Sequence, residues 1–411
     1  MKNLVLILCF LFSVFTFGQV RTIAQLETDF NTVYAIPGND NRAGTLARSL
    51  SGGANQEHHY MSWDFYGMIR AWQATGRTDL FNDCKQVIDN TISTATDTII
   101  DGTNYKHWAA DPTTPAGATL WDMYYLKEVT TFLRVVHQSR ELYEANKTWL
   151  DNTVSFFEKN IWERYEENVY DPSPRSLIDA VIYSYDPYLS SLSARSAMEF
   201  WTITKKQKYK TYMDNINQFG CAPCPQTQRN GADSWIRKQL RDTIIDGKTG
   251  FQISGNWEDQ SGNDDQSKFF YLRPDMDHYQ QLINYIQLAY ELGEYWTKAD
   301  VDKWIVTANK NWSSNSPVQG WEFLNFTGSQ TVNAVVNGAQ TSLGAHDAVF
   351  QARLNEYIVP NTGFNYTAQQ GQLLYNQKVL NDGRPVYPTY YRLDGGLPEA
   401  YRRKILKKKN I

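Results

Sequence analysis

Histidine, arginine, tyrosine and tryptophan crowd the points where helical patterns begin. Glu57-His58-His59-Tyr60 leads to Trp63-Asp64, Trp121-Asp122 to Tyr124, Asp186-Pro187 to Tyr188, and Ala345-His346-Asp347 opens a late helical stretch. His107 stands beside Trp108 ahead of another such start. The most pointed segment runs from Tyr271 to Tyr279 and sets Arg273 six residues before Tyr279, with His278 adjacent. Pro274 disfavours helix in the residue before it, so Arg273 falls on a loop and Tyr279 on a first helical turn, where both can reach one cavity. Arginine, histidine and tyrosine together suit β-elimination of a uronate polysaccharide. The proton beside the sugar carboxylate is too weakly acidic to leave unaided. Arg273, with His59 or His107, would neutralise the carboxylate, while Tyr279 and its neighbour His278 stand where the proton is moved. No metal or cofactor is needed.

Other groups complete the picture. The chain carries 13 Trp and 26 Tyr, and a flat apolar face with a polar edge suits stacking on a sugar ring as well as helix packing. Tyr60, Trp63, Trp108, Trp121, Asp122, Tyr188, Trp257 and His346 are the candidate substrate contacts. Asn256-Trp257-Glu258-Asp259 offers a second chemistry, with Glu258 as general acid opposite Asp122 or Asp186, as in hydrolysis by paired carboxyl groups. Asp259, Asp264 and Asp265 miss the spacing of a calcium loop. No phosphate-binding Gly-Lys-Ser/Thr loop, His-Glu-x-x-His zinc motif or Gly-x-Ser-x-Gly elbow occurs, which removes support for nucleotide, zinc-protease and esterase readings.

The Arg273 to Tyr279 segment resembles the Arg and Tyr-His region of the α/α-toroid alginate lyases. Trp63 to Phe81, ending Gly76-Arg77-Thr78-Asp79-Leu80-Phe81, resembles their helix hairpin. The likeness covers about 50 residues in two pieces. The family's Asn-Asn-His-Ser-Tyr-Trp signature is only partly echoed by Glu57-His58-His59-Tyr60-Met61-Ser62-Trp63, and here tyrosine follows histidine. A related toroidal lyase family acting on alginate or glucuronan is therefore the expectation. The resemblance implies Tyr279 as catalytic acid or base, and Arg273 with His59 or His107 at the carboxylate. The runner-up is a toroidal glycoside hydrolase, and the third reading is a glycan-binding protein.

Such residues need elements to position them, and the clearest period is helical. Phe65, Met68, Ile69 and Trp72 recur at i, i+3, i+4 and i+7 between His59 and Thr75, Gly76 ends the run, and Thr78-Asp79 is placed to cap the next. The phrase returns at Asp277 to Leu292 with Gly293 and a Thr297 to Asp300 capping box before a helix through Asn311. Leu120 to Glu141 with Lys147 to Tyr165, Tyr188 to Lys205 with Lys206 to Phe219, and Ala345 to Tyr357 extend the series. Hairpins of this size cannot bury both faces alone and must pack on one another. TPR, HEAT and ankyrin signatures are absent. The expected fold is all-α, an α/α toroid of helix hairpins, with a small β insert around residues 220–271 where Thr243 to Gly247 and Gly250 to Gly255 read as strands about a turn.

Residues 1–18 read as a signal peptide: Lys2 precedes an apolar run from Leu4 to Phe17 and a small residue, Gly18. The run is too short for a stable membrane span, and Cys9 follows Ile7-Leu8, a poor context for lipid attachment. The expected product is an exported, periplasmic or extracellular single domain over residues 19–411, with no linker of Gly/Ser or Pro-rich composition. A formal charge of −4 argues against nucleic acid as a partner. An anionic polysaccharide or oligosaccharide is the expected partner, met by a monomer that leaves the membrane after signal cleavage. Cys221 and Cys224, in Cys-Ala-Pro-Cys, suit a local disulfide in an oxidising compartment. Cys84, in the stripe Phe81, Cys84, Ile88, is expected to be a buried thiol. The basic tail from Arg402 to Ile411 is expected to be solvated.

Overall fold

The computed structural model describes residues 21–38, 41–51, 56–100, 102–108, 117–168, 187–214, 216–217, 236, 240–254, 269–270, 276–311, 322–324, 331–333, 341–358, 360 and 366–388. Over these the chain is mostly helical, with small antiparallel sheets. Residues 1–18, Cys221, Cys224, Trp257, Glu258, Arg273 and the basic tail lie outside the described residues.

Helix α1 (Ile23–Tyr34) starts on a capping box in which Thr22 and Gln25 exchange bonds, and α2 (Arg42–Ser49) starts on Asn41. The predicted hairpins follow. α3 (Gln56–Thr75) and α4 (Thr78–Thr94) turn at Gly76, whose φ of +69° lies in the left-handed region that glycine adopts without penalty. Thr78 does not cap α4. Arg77 holds the cap position without a side-chain bond, and Asp79 instead takes its guanidinium at 2.6 Å. A hairpin of β1 (Thr96–Ile100) and β2 (Thr103–His107) follows where the sequence showed only a polar insert. α5 (Gly117–Gln138) and α6 (Arg140–Phe157) break at Ser139 rather than near residues 142–146, because Ser139 turns extended and its hydroxyl bonds the carbonyl of Val135. α6 runs on through a π-helical stretch, Glu158–Glu163, into α7 (Arg164–Asn168).

Next come α8 (Pro187–Thr204) and α9 (Gln207–Asp214). Their turn uses Lys205 at φ +57°, a cap without glycine. The predicted β insert contains β3 (Leu240–Ile245) and β4 (Lys248–Ser254), joined through Asp246-Gly247 with both φ positive, and β5 (Phe269–Phe270) beside β4. α10 (Met276–Leu292) and α11 (Lys298–Asn311) carry the predicted capping box, with Thr297 N to Asp300 at 2.9 Å and Asp300 N to Thr297 at 3.3 Å. Strands β6 (Glu322–Leu324) and β7 (Thr331–Asn333), a 3₁₀ turn at Ser342–Ala345, α12 (Ala348–Tyr357) and α13 (Tyr366–Asp382) complete the described elements.

α13 packs on α3, α3 on α5, α5 on α8, and α8 on α10. Each of these first four long helices has its partner beside it: α1 against α13, α4 against α3, α6 against α5, and α9 against α8. The 3₁₀ turn touches α13, and its Ser342 hydroxyl reaches Asn284 of α10 at 3.1 Å and also Gln287. The apolar stripes meet between helix and partner. Trp72, Phe81 and Phe132 have ring centroids 4.8–5.6 Å apart, and Cys84 is a buried free thiol in this core, as its stripe predicts. α13 and α3 come closest at Gly67 and Gly371, where backbone meets backbone. Among the described residues no helix is long and apolar enough to cross a membrane.

Candidate functional site

His59, Trp63, Tyr66 and Arg70 sit at i, i+4, i+7 and i+11 of α3 and so share one face. Tyr124, Lys127, Glu128, Thr131 and Arg134 do the same on α5, and the two faces meet. The His59 ring lies 4.7 Å from Tyr124 and 6.2 Å from Trp63, Trp63 lies 5.8 Å from Tyr124, and Tyr60 flanks His59 at 5.6 Å. Behind this aromatic wall the Lys127 ammonium stands 5.7 Å from the Trp63 ring and 5.3 Å from Tyr124, within cation–π range.

Lys127 pairs with Glu128, and Glu128 also takes both terminal nitrogens of Arg195 from α8, at 2.8 and 3.2 Å. One carboxylate thus serves two cations. The chain of contacts runs on: Arg195 to Thr131 at 2.8 Å, Thr131 to Glu199 at 2.9 Å, Glu199 to Arg134, and Arg134 to Gln138 at 2.7 Å. Burial pulls the Lys127 ammonium down to about 8, against the opposing pull of Glu128. Burial also raises the Glu128 carboxyl, but Arg195 and Lys127 outweigh it and the net shift is downward.

A second constellation ties the starts of α3 and α5 together from the adjoining side. His58 Nδ1 meets Asp122 Oδ1 at 2.9 Å, and Asp122 Oδ2 accepts from Arg164 at 2.7 Å and from the Tyr165 hydroxyl. The imidazole stacks on Tyr125 at 4.9 Å and meets the edge of Trp108 at 4.5 Å. Trp108 is itself pinned by its Nε1–H to the carbonyl of Thr91 at 2.8 Å. Burial would raise the Asp122 carboxyl, yet the His58 bond and the Arg164 charge hold it below the usual carboxylate range. An ionised Asp122 only accepts, so a neutral His58 carries its proton on Nδ1. Burial and the Asp122 charge keep the Tyr165 phenol protonated.

Compared with known protein families, curated proteins and solved structures, this chain matches none. The site therefore stands on its own geometry.

Of the residues singled out by sequence, His59, Tyr60 and Trp63 converge in the aromatic wall, and Asp122 lies in the adjoining cluster. Asp122 and Trp108 are 1 % and 3 % exposed, so both position neighbours rather than offer a surface to a sugar. Arg48 covers the Tyr60 ring at 5.0 Å. Trp121 is half-buried on the first turns of α5, and His107 is half-buried at the end of β2. Tyr188, His278 and Tyr279 lie on the first turns of α8 and α10, as expected for their backbone. His346 stands apart: it meets Tyr290 at 5.6 Å and Glu291 at 3.7 Å, at the far end of α10.

Sequence reasoning named His58 only within its motif and missed Lys127, Arg164, Tyr165 and Arg195. Lys127 could have been found at i+3 from Tyr124, on the face that bears Trp121. Arg164 and Tyr165 follow a π-helical stretch with no signal of their own. Among the described residues, no three His, Cys, Asp or Glu side chains converge as metal ligands would.

Proposed function

We propose that this protein is an exported polysaccharide lyase that cleaves uronate-containing chains of the alginate or glucuronan type by β-elimination. The observation that carries the reading is the aromatic wall of His59, Trp63 and Tyr124 backed by Lys127. Flat rings suit the apolar face of a sugar, and adjacent cations suit its carboxylate. The wall opens at the amino-terminal ends of α3 and α5, the end of α10 at which Tyr279 stands. In this reading Tyr279 moves the proton, while Arg273 with His59 holds the carboxylate and lowers the cost of the enolate. The succession α13, α3, α5, α8, α10 and back through the 3₁₀ turn to α13 supports closure of the helix row as an α/α toroid.

Hydrolysis by paired carboxylates loses one candidate, since Asp122 is committed to His58, Arg164 and Tyr165. The decisive experiment incubates the purified protein with polymannuronate, polyguluronate and glucuronan and follows the ultraviolet absorbance of an unsaturated uronate. The absorbance should rise, and Tyr279→Phe should abolish it with the fold intact by circular dichroism. Reducing ends without absorbance would establish a hydrolase instead. Binding without either signal would establish a glycan-binding protein.

A further inference from the structure

Arg70 lies on the same face of α3 as the aromatic wall, eleven residues beyond His59, or about 16 Å along the helix axis. Its guanidinium sits 5.2 Å from the Tyr66 ring and 4.6 Å from the Tyr375 ring. One terminal nitrogen bonds Gln73 at 3.0 Å, and the buried Nε has no hydrogen-bond partner. Such a donor costs free energy unless something fills the place opposite it.

Glu291, in the last turn of α10, acts on the same space. Arg70 feels its charge, and Glu291 feels Arg70 and Arg134, yet no carboxylate among the described residues comes within ion-pair distance of Arg70. The Glu291 side chain keeps 13 % exposure although protein encloses it, and its nearest polar neighbour is His346 Nε2 at 3.7 Å, beyond hydrogen-bond reach. That Nε2 is buried and without a hydrogen bond, on a side chain 8 % exposed. Three elements thus bring unmatched polar groups to one gap. Its surroundings carry Arg70, Lys127, Arg134 and Arg195 against Glu128, Glu199 and Glu291, an excess of positive charge inside a chain whose formal charge is −4.

We infer that this gap is a binding site for a sugar acid, whose carboxylate docks on the Arg70 guanidinium while a ring hydroxyl lies between Glu291 and His346. A guanidinium offers a carboxylate two parallel donors, which a neutral sugar cannot use. The choice of ligand rests on the uronate reading above, but the site needs no elimination chemistry. It lies on the same helix face as the aromatic wall, so it would take a carboxylate several sugar units away from that wall.

The test measures binding of glucuronate and of glucose to the full chain by calorimetry, for the wild type, Arg70→Met and Arg70→Lys. Glucuronate should bind and glucose should not. Arg70→Met should lose glucuronate binding by at least about tenfold. Arg70→Lys, which keeps the charge and loses the fork, should fall between them. Arg70→Met should also melt no lower than wild type without ligand, because it removes a buried cation that no carboxylate pairs. Equal binding of glucose and glucuronate, no binding of either, or full binding by Arg70→Met overturns the inference. A marked fall in melting temperature of Arg70→Met overturns it as well, since Arg70 would then serve the fold. Glucuronate binding without unsaturated product sinks the lyase reading and leaves this site standing.

Discussion

At the scale of single residues, Asp122 decides how the starts of α3 and α5 are held. It is buried, it accepts from three side chains, and two of these, His58 and Arg164, are cationic or can become so. Asp122→Asn keeps the volume but removes the charge that compensates Arg164. A buried cation left without its partner costs about 3–5 kcal/mol. Denaturant unfolding should show a loss of that order, and Arg164→Met together with Asp122→Asn should recover part of it. A single mutant as stable as wild type would show that the cluster contributes little. Lys127 belongs to the same scale. Lys127→Met should weaken binding of uronate chains more than of neutral glycans, measured by affinity electrophoresis, because the rings of Trp63 and Tyr124 remain while the charge behind them goes.

At the scale of elements, the crossing of α3 and α13 rests on two glycines. A Cβ on Gly67 would press on the backbone of Thr367, and one on Gly371 on the backbone of Gly67, far inside van der Waals contact. Neither backbone can yield without separating the helices. Gly371→Ala should therefore destabilise by roughly 2–4 kcal/mol, although alanine has the higher helix propensity by about 1 kcal/mol. A thermal melt unchanged or raised would show that propensity wins and that the helices can part. Beside this contact α13 carries Thr367, Gln369, Gln370, Gln372 and Asn376, all buried. That polar content hid the helix from periodicity arguments, since a search for apolar stripes passes over a helix whose buried side is built of amides. Tyr66 to Gln372, Gln372 to Asn376 and Asn376 to the carbonyl of Thr341 satisfy part of it.

At the scale of the whole molecule, the interior charges set how stability responds to pH. Burial, with Lys298 and Arg70 nearby, depresses the His346 imidazole from 6.5 to about 3. The unfolded chain binds a proton there below pH 6.5 while the folded chain does not, so stability falls as pH drops from 6.5 towards 3, by on the order of 4 kcal/mol at the acid limit. Glu291, 3.7 Å away, works in the opposite sense: burial raises its carboxyl, so it favours the fold as acid protonates it. Tyr290 is the other ionisable ring against His346. His346→Asn should flatten the acid limb of a stability profile between pH 6.5 and 4. Identical acid limbs for both proteins would show that other groups govern acid unfolding.

How much of this was legible beforehand follows from what a helical period can specify. It says which residues of one helix share a face, and by itself it determined the hairpins about Gly76 and Gly293, the Thr297 cap, the buried place of Cys84 and the placing of His59 and Trp63 on one side of α3. It carries no information about which helix stands opposite that face. The bond from His58 to Asp122 spans 64 residues of chain, and that from Thr131 to Glu199 spans 68. Sequence therefore ranked His58 and His59 alike as neighbours in one motif. Only the packing of α3 on α5 turned His58 towards a carboxylate and His59 towards the rings of Trp63 and Tyr124. The same packing gave Lys127 its place behind those rings and Arg70 its unshared guanidinium, because a charged side chain acquires a role only from the groups that burial sets against it.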